Sequence, residues 1–152
     1  MKIKTLLALT MPLSAFLFSA AHADTVSVEM LNKRPDKQRM VYSEDITRIN
    51  VGDTVTWLPT SKGHNVHFIS GPDGFKLPKK SKLNKEYSFT FDIPGVYLYQ
   101  CTPHKGLGMI ALVVVGDDTS NKSQIAKTRV FGKSKKKSVS YTHLRAHETN
   151  VD

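Results

Sequence analysis

The sequence predicts an all-β domain, either a sandwich or a barrel, that is followed by a short helical tail. Short segments such as Tyr87 to Phe91 alternate between apolar and polar side chains, a period of two that is typical of strands. Turn residues such as Gly52-Asp53 and Pro94-Gly95 separate these segments. The run from Ile110 to Val115 is continuously apolar and rich in β-branched residues, which is typical of a strand buried on both faces. Periodicity alone does not distinguish a sandwich from a barrel.

The predicted strands follow one another between residues 25 and 115. The first, Thr25 to Met30, alternates with period two and places Val26 and Val28 on one face together with Met30. The other predicted strands are Met40 to Tyr42, Ile46 to Val51, Thr54 to Leu58, Val66 to Ile69, Tyr87 to Phe91, Val96 to Cys101 and Ile110 to Val115.

Residues 1–23 have the pattern of a secretory signal peptide. Lys2 and Lys4 precede an apolar run, and Ala21-His22-Ala23 supplies a small-residue cleavage site. The run is shorter than the about 20 apolar residues that span a bilayer, and Pro12 interrupts it. A retained membrane anchor is therefore the less favoured alternative, and we expect an exported protein.

Charge and length limit what the exported chain can be. Removal of residues 1–23 from the 152 leaves 129 residues, enough for one domain with one core, which we place at residues 24–116. Removal of Lys2 and Lys4 from the formal charge of +9 leaves +7. A basic chain of this kind suits nucleic acid, anionic lipid or an acidic protein. Because the protein is exported, we expect an acidic protein partner, no nucleic-acid or membrane partner, and a monomer.

The composition changes after the β domain, and residues 117–137 are predicted to form a helical tail. Helix-forming residues extend from Ser120 to Val130, with Thr119 or Ser120 as the predicted N-cap and Gly132 as the predicted stop. A cluster of four lysines follows, at positions 133, 135, 136 and 137.

Residues 138–152 differ in character from the tail that precedes them. The stretch from 140 to 149 resembles translated cloning-adaptor sequence of the kind found at broken ends of assembled reading frames. His143 and His147 have the spacing of one helix face, but no third ligand lies nearby, so no metal site is assigned there. We interpret residues 138–152 as a non-native or disordered extension.

The chain has a single cysteine, Cys101. Exported proteins normally use cysteines in pairs, so a lone cysteine indicates an intermolecular disulfide, a reactive thiol or a metal ligand. Two further potential ligands, His104 and Met109, follow it in the segment Cys-Thr-Pro-His-Lys-Gly-Leu-Gly-Met. Because Cys101 ends one predicted strand and Met109 precedes the next, one short loop can deliver three ligands to one point.

His64, in an upstream loop, offers a second imidazole. Two imidazoles and one thiolate in a trigonal plane, with a long axial thioether, form a blue-copper electron-transfer site. Taken singly, Cys101 and Met109 can be core residues and His64 a surface histidine, but their combination favours copper. His67 lies inside a predicted strand and is interpreted as non-ligating.

Two motifs give the chain a family resemblance: Lys62-Gly63-His64-Asn65-Val66, and Cys101-Thr102-Pro103-His104 followed by Gly108-Met109. On these residues the sequence resembles the pseudoazurins, and more broadly the plastocyanin-like cupredoxins, over about residues 24–137. The resemblance implies a Greek-key β-sandwich of eight strands with two C-terminal helices. It also implies one type-1 copper ion bound by His64, Cys101, His104 and Met109, with Asn65 and Thr102 around the ligands. Asn65 would brace its loop against the cysteine loop.

The function that the resemblance implies is single-electron transfer in the periplasm. Four protein ligands close the metal site, whereas catalytic metal sites keep an open position, so we expect a carrier and not an enzyme. The implied partners are acidic periplasmic redox proteins that dock transiently, chiefly the copper nitrite reductase of denitrification and also cytochromes. The expected docking residues around His104 are Pro59, Lys62, Lys105 and Leu107.

Two other functions are weighed against electron transfer to a denitrification reductase. A periplasmic copper carrier would favour a methionine cluster, but after the signal peptide the chain has only Met30, Met40 and Met109. A plastocyanin-like donor to another redox complex is disfavoured by the basic charge and the helical tail.

Overall fold

The computed structural model describes residues 22–141, which form two four-stranded β-sheets followed by two short helices. The strands are β1 (Thr25–Lys33), β2 (Arg39–Tyr42), β3 (Ile46–Ile49), β4 (Thr54–Leu58), β5 (His67–Ser70), β6 (Tyr87–Thr90), β7 (Gly95–Gln100) and β8 (Ile110–Val115). The helices are α1 (Lys122–Lys127) and α2 (Lys133–Ser140).

The chain passes repeatedly from one sheet to the other. The first sheet has the strand order β2-β1-β4-β6, and the second has the order β3-β8-β7-β5. β1 is parallel to β4 and β3 is parallel to β8, whereas the other neighbouring strands are antiparallel. The predicted all-β sandwich with a helical tail is therefore confirmed, and the barrel alternative is wrong.

The strands β7 and β8 are buried along their whole length. One face of this pair, which includes Tyr97, Tyr99 and Val113, packs in the core between the sheets. The opposite face, which includes Leu98 and Leu112, packs against the helical tail. Each strand thus has an apolar environment on both sides, which is why Ile110 to Val115 lacks a polar alternation.

The tail covers the outer face of the second sheet. Ile125 of α1 and Tyr141, which follows α2, are both buried in this second apolar cluster. The Tyr141 hydroxyl donates a hydrogen bond to the carbonyl of Ile110, at 3.1 Å. Without the tail, the outer face of β7 and β8 would be exposed to water at a cost of about 25 cal/mol for each Å² of apolar surface.

The start of α1 differs from the prediction. Its N-cap is Asn121, and the helix begins at Lys122 and ends at Lys127, so the prediction of Thr119 or Ser120 as N-cap is wrong. Asn121 makes no side-chain capping bond, because its amide binds the backbone of Val96 instead. Its Oδ1 accepts from the Val96 N–H and its Nδ2 donates to the Val96 carbonyl, each at 2.8 Å.

Helix α2 passes through the lysine cluster and continues beyond it. Gly132 is its N-cap and not the stop of the preceding helix. The predicted boundary between tail and extension, after Lys137, falls inside α2, and both Ser138 and Tyr141 are buried. The rest of the predicted extension, with His143 and His147, lies outside the described residues.

The predicted signal peptide also lies outside the described residues, apart from its last two positions. Among the residues with a described structure, no helix is long and apolar enough to cross a membrane.

Candidate metal centre

Three of the predicted ligands converge on one point. The Nδ1 atoms of His64 and His104 are 3.1 Å apart. The Sγ atom of Cys101 lies 3.7 Å from the His64 Nδ1 and 3.4 Å from the His104 Nδ1. Among the described residues, His64, Cys101 and His104 form a cluster of side chains that could hold a metal ion, with their ligand atoms within 4.8 Å of one another.

The triangle of donor atoms has the size that a metal ion requires. The point equidistant from the two nitrogens and the sulfur is about 2.0 Å from each, close to the lengths of metal–nitrogen and metal–sulfur bonds in proteins. Two imidazole nitrogens and one thiolate in a plane are the equatorial donors of a blue-copper site. The residues therefore fit a type-1 copper ion in both chemistry and spacing.

The loop between β7 and β8 delivers two of these ligands and ends at Met109. Cys101 immediately follows β7, and its backbone N–H donates to the carbonyl of Met109 at 2.9 Å, closing the loop at its base. The His104 N–H donates to the carbonyl of Cys101 at 3.2 Å. Gly108, with a φ of +98°, supplies the left-handed backbone that brings the chain back to Met109. Met109 is fully buried, as an apolar thioether ligand would be.

His64 is held by a residue that the sequence analysis did not identify. Its Nε2 lies 2.8 Å from Oδ1 of Asn32, which is near the end of β1. Because a side-chain carbonyl only accepts, the proton of the ring is on Nε2, and Nδ1 offers its lone pair to the metal. No local motif points to Asn32, since it lies 32 residues upstream of the histidine.

Burial keeps both imidazoles neutral. It lowers the pKa of His64 to about 4, with a smaller contribution from the charge of His104, and it also lowers the pKa of His104. Burial raises the pKa of the Cys101 thiol, although backbone N–H groups of Asn65 and His104 favour the thiolate. Neutral imidazoles with the lone pair available are the form that binds a metal.

Asn65 joins the two ligand loops, as the resemblance implied. Its Oδ1 accepts from the backbone N–H of Thr102 at 2.8 Å, and its Nδ2 donates to the Thr102 hydroxyl at 3.3 Å. The same Nδ2 donates to the carbonyl of Ser81 at 3.2 Å. The buried hydroxyl of Tyr42 donates to the Asn65 carbonyl at 2.8 Å, so the core of the sandwich anchors this loop. Ser81 and Tyr42 were not predicted as site residues.

The predicted docking residues lie in the two loops that carry the ligands, residues 59–66 and 101–109. Lys105 and Leu107 are exposed on the ligand loop, and 53 % of Leu107 is accessible. Lys62 is exposed and precedes Gly63. A Cβ placed on Gly63 would lie 3.9 Å from the His104 ring, so this part of the loop is next to that histidine. Pro59, which follows β4, is half-buried. His104 itself is only partly buried, whereas His64 is fully buried.

His67 does not join the converging ligands. It lies in β5 opposite Gln100 and is half-buried. Burial lowers its pKa, and the charges of Lys80 and Lys105 act in the same direction.

The helical tail contacts the ligand loop directly. The Lys133 N–H donates to the carbonyl of Gly106 at 3.0 Å, and the Ser134 hydroxyl donates to the carbonyl of Lys105. A Cβ at Gly132 would lie 2.3 Å from the Gly106 carbonyl oxygen, so only glycine permits this approach. The tail thus holds two peptide groups between His104 and Met109, a contact that the sequence did not reveal.

Comparison with known proteins agrees with this geometry. Residues 28–116 match the family model of copper-binding proteins of the plastocyanin/azurin family. The chain is 46 % identical over 120 residues to a putative pseudoazurin from Rhizobium leguminosarum bv. viciae, covering 77 % of this chain and 74 % of that protein. The structure is similar to that of a pseudoazurin from Sinorhizobium, with a TM-score of 0.74, 39 % identity and coverage of 78 % and 94 %. It is also similar to pseudoazurin from Methylobacterium extorquens AM1, with a TM-score of 0.69, 40 % identity and coverage of 75 % and 93 %.

Proposed function

The chain belongs to the pseudoazurins of the copper-binding plastocyanin/azurin family and is an electron carrier, and on this premise we propose that it passes single electrons in the periplasm to a denitrification reductase. Copper nitrite reductase is the reductase that we propose, and cytochromes are further exchange partners.

The proposed ligands are His64, Cys101 and His104 in the plane and Met109 on the axis. The observation that carries this assignment is the triangle of two nitrogens and one sulfur, whose centre is about 2.0 Å from each atom. Bound copper supplies a one-electron couple between Cu(II) and Cu(I). The buried thioether of Met109 at the end of the same loop completes the ligand set.

The protein's own part in electron transfer is to keep the ligands in place. Asn32 fixes the ring of His64, and Asn65 ties the His64 loop to the Cys101 loop. Ligands held by such hydrogen bonds move little when the charge of the site changes by one, which favours rapid transfer over chemistry on a substrate.

The electron is proposed to leave through the partly exposed ring of His104. Leu107, exposed three residues after His104, is proposed to supply apolar contact together with Pro59, and the exposed Lys62 and Lys105 are proposed to supply positive charge. Such a surface suits brief docking of an acidic protein, because charge steers the encounter and a small apolar contact releases quickly. We expect the rate of electron exchange with an acidic partner to fall as the salt concentration rises.

The proposed periplasmic location is supported by the signal-peptide pattern of residues 1–23. We also propose a monomer, in which the surface around His104 stays free to meet successive partners.

The visible absorption spectrum of the protein from residue 24 onward tests the function. After addition of Cu(II), we expect an intense blue band that a mild reductant bleaches and an oxidant restores, with the copper retained throughout. Copper lost on each reduction would support a metal carrier instead. A colourless protein would contradict the proposed ligand set, and Cys101→Ser supplies the matched colourless control.

A further inference from the structure

A cavity of about 750 Å³ lies between the ligand loop, α2 and the segment that leads into β2. Leu107 and Gly108 form the wall on the side of the ligand loop, and Lys133 and Lys136 form the wall on the side of α2. Lys37 and Arg39 approach from the third side. The cavity is thus separate from the docking residues Pro59, Lys62 and Lys105, although it shares Leu107 with them.

The lining of this cavity is strongly basic. Among the described residues, five cationic side chains line the cavity, and the only carboxylate in its lining is Asp45. The five are Lys37, Arg39, Lys133, Lys136 and Lys137. Asp45 is already paired, because its Oδ1 lies 2.6 Å from Nζ of Lys137 and 3.1 Å from Nη1 of Arg34. Burial opposes the ionisation of Asp45, but these two cations outweigh it and lower the pKa of the carboxyl.

The other four cations, Lys37, Arg39, Lys133 and Lys136, have no acidic partner among residues 22–141. Over the part of the chain that the structure describes, the side chains of Lys37, Arg39, Lys133 and Lys136 form no ion pair with an aspartate or glutamate. Four like charges around one concave space repel one another and raise the local concentration of anions. The complementary ligand is therefore an anion with several charges.

The position of the cavity, next to the proposed exit of the electron, indicates the role of the bound anion. Leu107, exposed and three residues after His104, lies both at its rim and at the proposed exit of the electron. The space is too large for one carboxylate and takes several side chains of a peptide segment. Building on the proposed function, we infer that this cavity receives an acidic segment of the redox partner, a run of aspartate or glutamate side chains that anchors the partner beside His104.

An acidic segment bound in the cavity makes a second contact between the protein and its partner. The apolar surface near His104 makes the contact through which the electron passes, and the cavity orients the partner about it. Since separated charges act mainly on encounter and orientation, the cavity sets which acidic proteins dock productively. The four cationic side chains Lys37, Arg39, Lys133 and Lys136 are neither proposed copper ligands nor part of the apolar contact, so their charge can be removed without altering that contact.

The test uses the copper-loaded protein from residue 24 onward, with an octaglutamate peptide as the probe and calorimetry at low salt as the measurement. Lys133→Gln with Lys136→Gln removes two charges from one wall, and Lys37→Gln with Arg39→Gln removes two from the other. We expect each double substitution to weaken peptide binding about tenfold. Two exposed ion pairs, each near the upper end of the range measured for such pairs, together change a binding constant by about this factor. The control is Lys122→Gln with Lys127→Gln, two exposed lysines of α1 outside the cavity, for which we expect less than a twofold change.

Each outcome supports or overturns the inference. Shifts of the Leu107 and Gly108 amide resonances on peptide addition would support it, together with the difference between the cavity pairs and the control. Equal weakening by all three pairs, or by none, would overturn it in favour of general charge attraction. Displacement of the peptide by millimolar inorganic phosphate would overturn it in favour of a small-anion site. A protein that stays blue and reversibly reducible in any of these cases leaves the electron-carrier function standing, whereas loss of the blue band refutes that function instead.

Discussion

Replacement of Asn32 by alanine tests how far the surroundings of His64 determine copper binding. The His64 ring is fully buried, and its Nε2–H has Asn32 Oδ1 as acceptor at 2.8 Å. A buried N–H without an acceptor costs about 1–3 kcal/mol, which corresponds to about 5- to 150-fold in an equilibrium constant. Because Asn32 itself is exposed, water can replace part of the lost bond. We therefore expect Asn32→Ala to weaken copper binding by about tenfold, the lower end of the range for residues that support metal ligands.

The copper affinity is measured by letting the protein compete with a chelator for Cu(I) at fixed pH. The copper that the protein retains is then read from its blue absorbance after reoxidation. Asn32→Asp keeps an acceptor at the same position, so it should restore the affinity, and its negative charge should lower the reduction potential by favouring Cu(II). Asn50→Ala, an exposed asparagine in the loop after β3, is the matched control. An affinity of Asn32→Ala within twofold of the wild-type value would refute the reasoning.

Four further predictions concern the axial ligand, the non-ligating histidine, Asn121 before α1, and the carboxylate of Asp45. Met109→Gln should keep the copper and lower the reduction potential, because a harder oxygen favours Cu(II); an unchanged potential in voltammetry would argue against an axial role. His67→Ala should leave the blue band intact, and a loss of colour would show that the wrong histidine was assigned. Asn121→Ala should lower the free energy of unfolding of the copper-free protein by about 2–4 kcal/mol in urea, since it leaves both backbone groups of Val96 unpaired, whereas no measurable change would mean that water replaces them. Asp45→Asn should destabilise the protein at neutral pH. The folded-state pKa of Asp45 lies below its ordinary 3.8, so the carboxylate contributes its full stabilisation above pH 3.8 and loses it as the pH falls through the folded-state pKa. A difference in unfolding free energy between the two proteins that persists in acid would contradict this.

The fold and the centre of the site were predictable because their signals are local. Alternation identified strands such as β1, whose side chains face the core on one side only, and a continuous apolar run identified β8, which is buried on both faces. The spacing of Cys101, His104 and Met109 predicted the ligand loop, because strands on either side force the loop back on itself.

The surroundings of the site were not predictable, because they depend on contacts between distant segments. Asn32 meets His64 across 32 residues, and Asn121 meets Val96 across 25. The predicted N-cap was wrong for the same reason: Ser120 has good capping chemistry, but the binding of Asn121 to Val96 determines where the helix begins. The covering of β7 and β8 by Tyr141 likewise depends on residues that the sequence alone assigned to an extension.

The placement of the ligands along the chain has a consequence for the order of folding. β7 and β8 form an antiparallel hairpin whose turn is the ligand loop, so Cys101, His104 and Met109 are brought together by a short-range contact. His64 reaches them only when the segment between β4 and β5 has docked, and Asn32 only when β1 has paired with β4. Contacts between near neighbours close faster than distant ones because less chain entropy is lost. We therefore expect the folding chain to form the three-ligand hairpin before His64 arrives, so that metal binding can begin before the fold is complete.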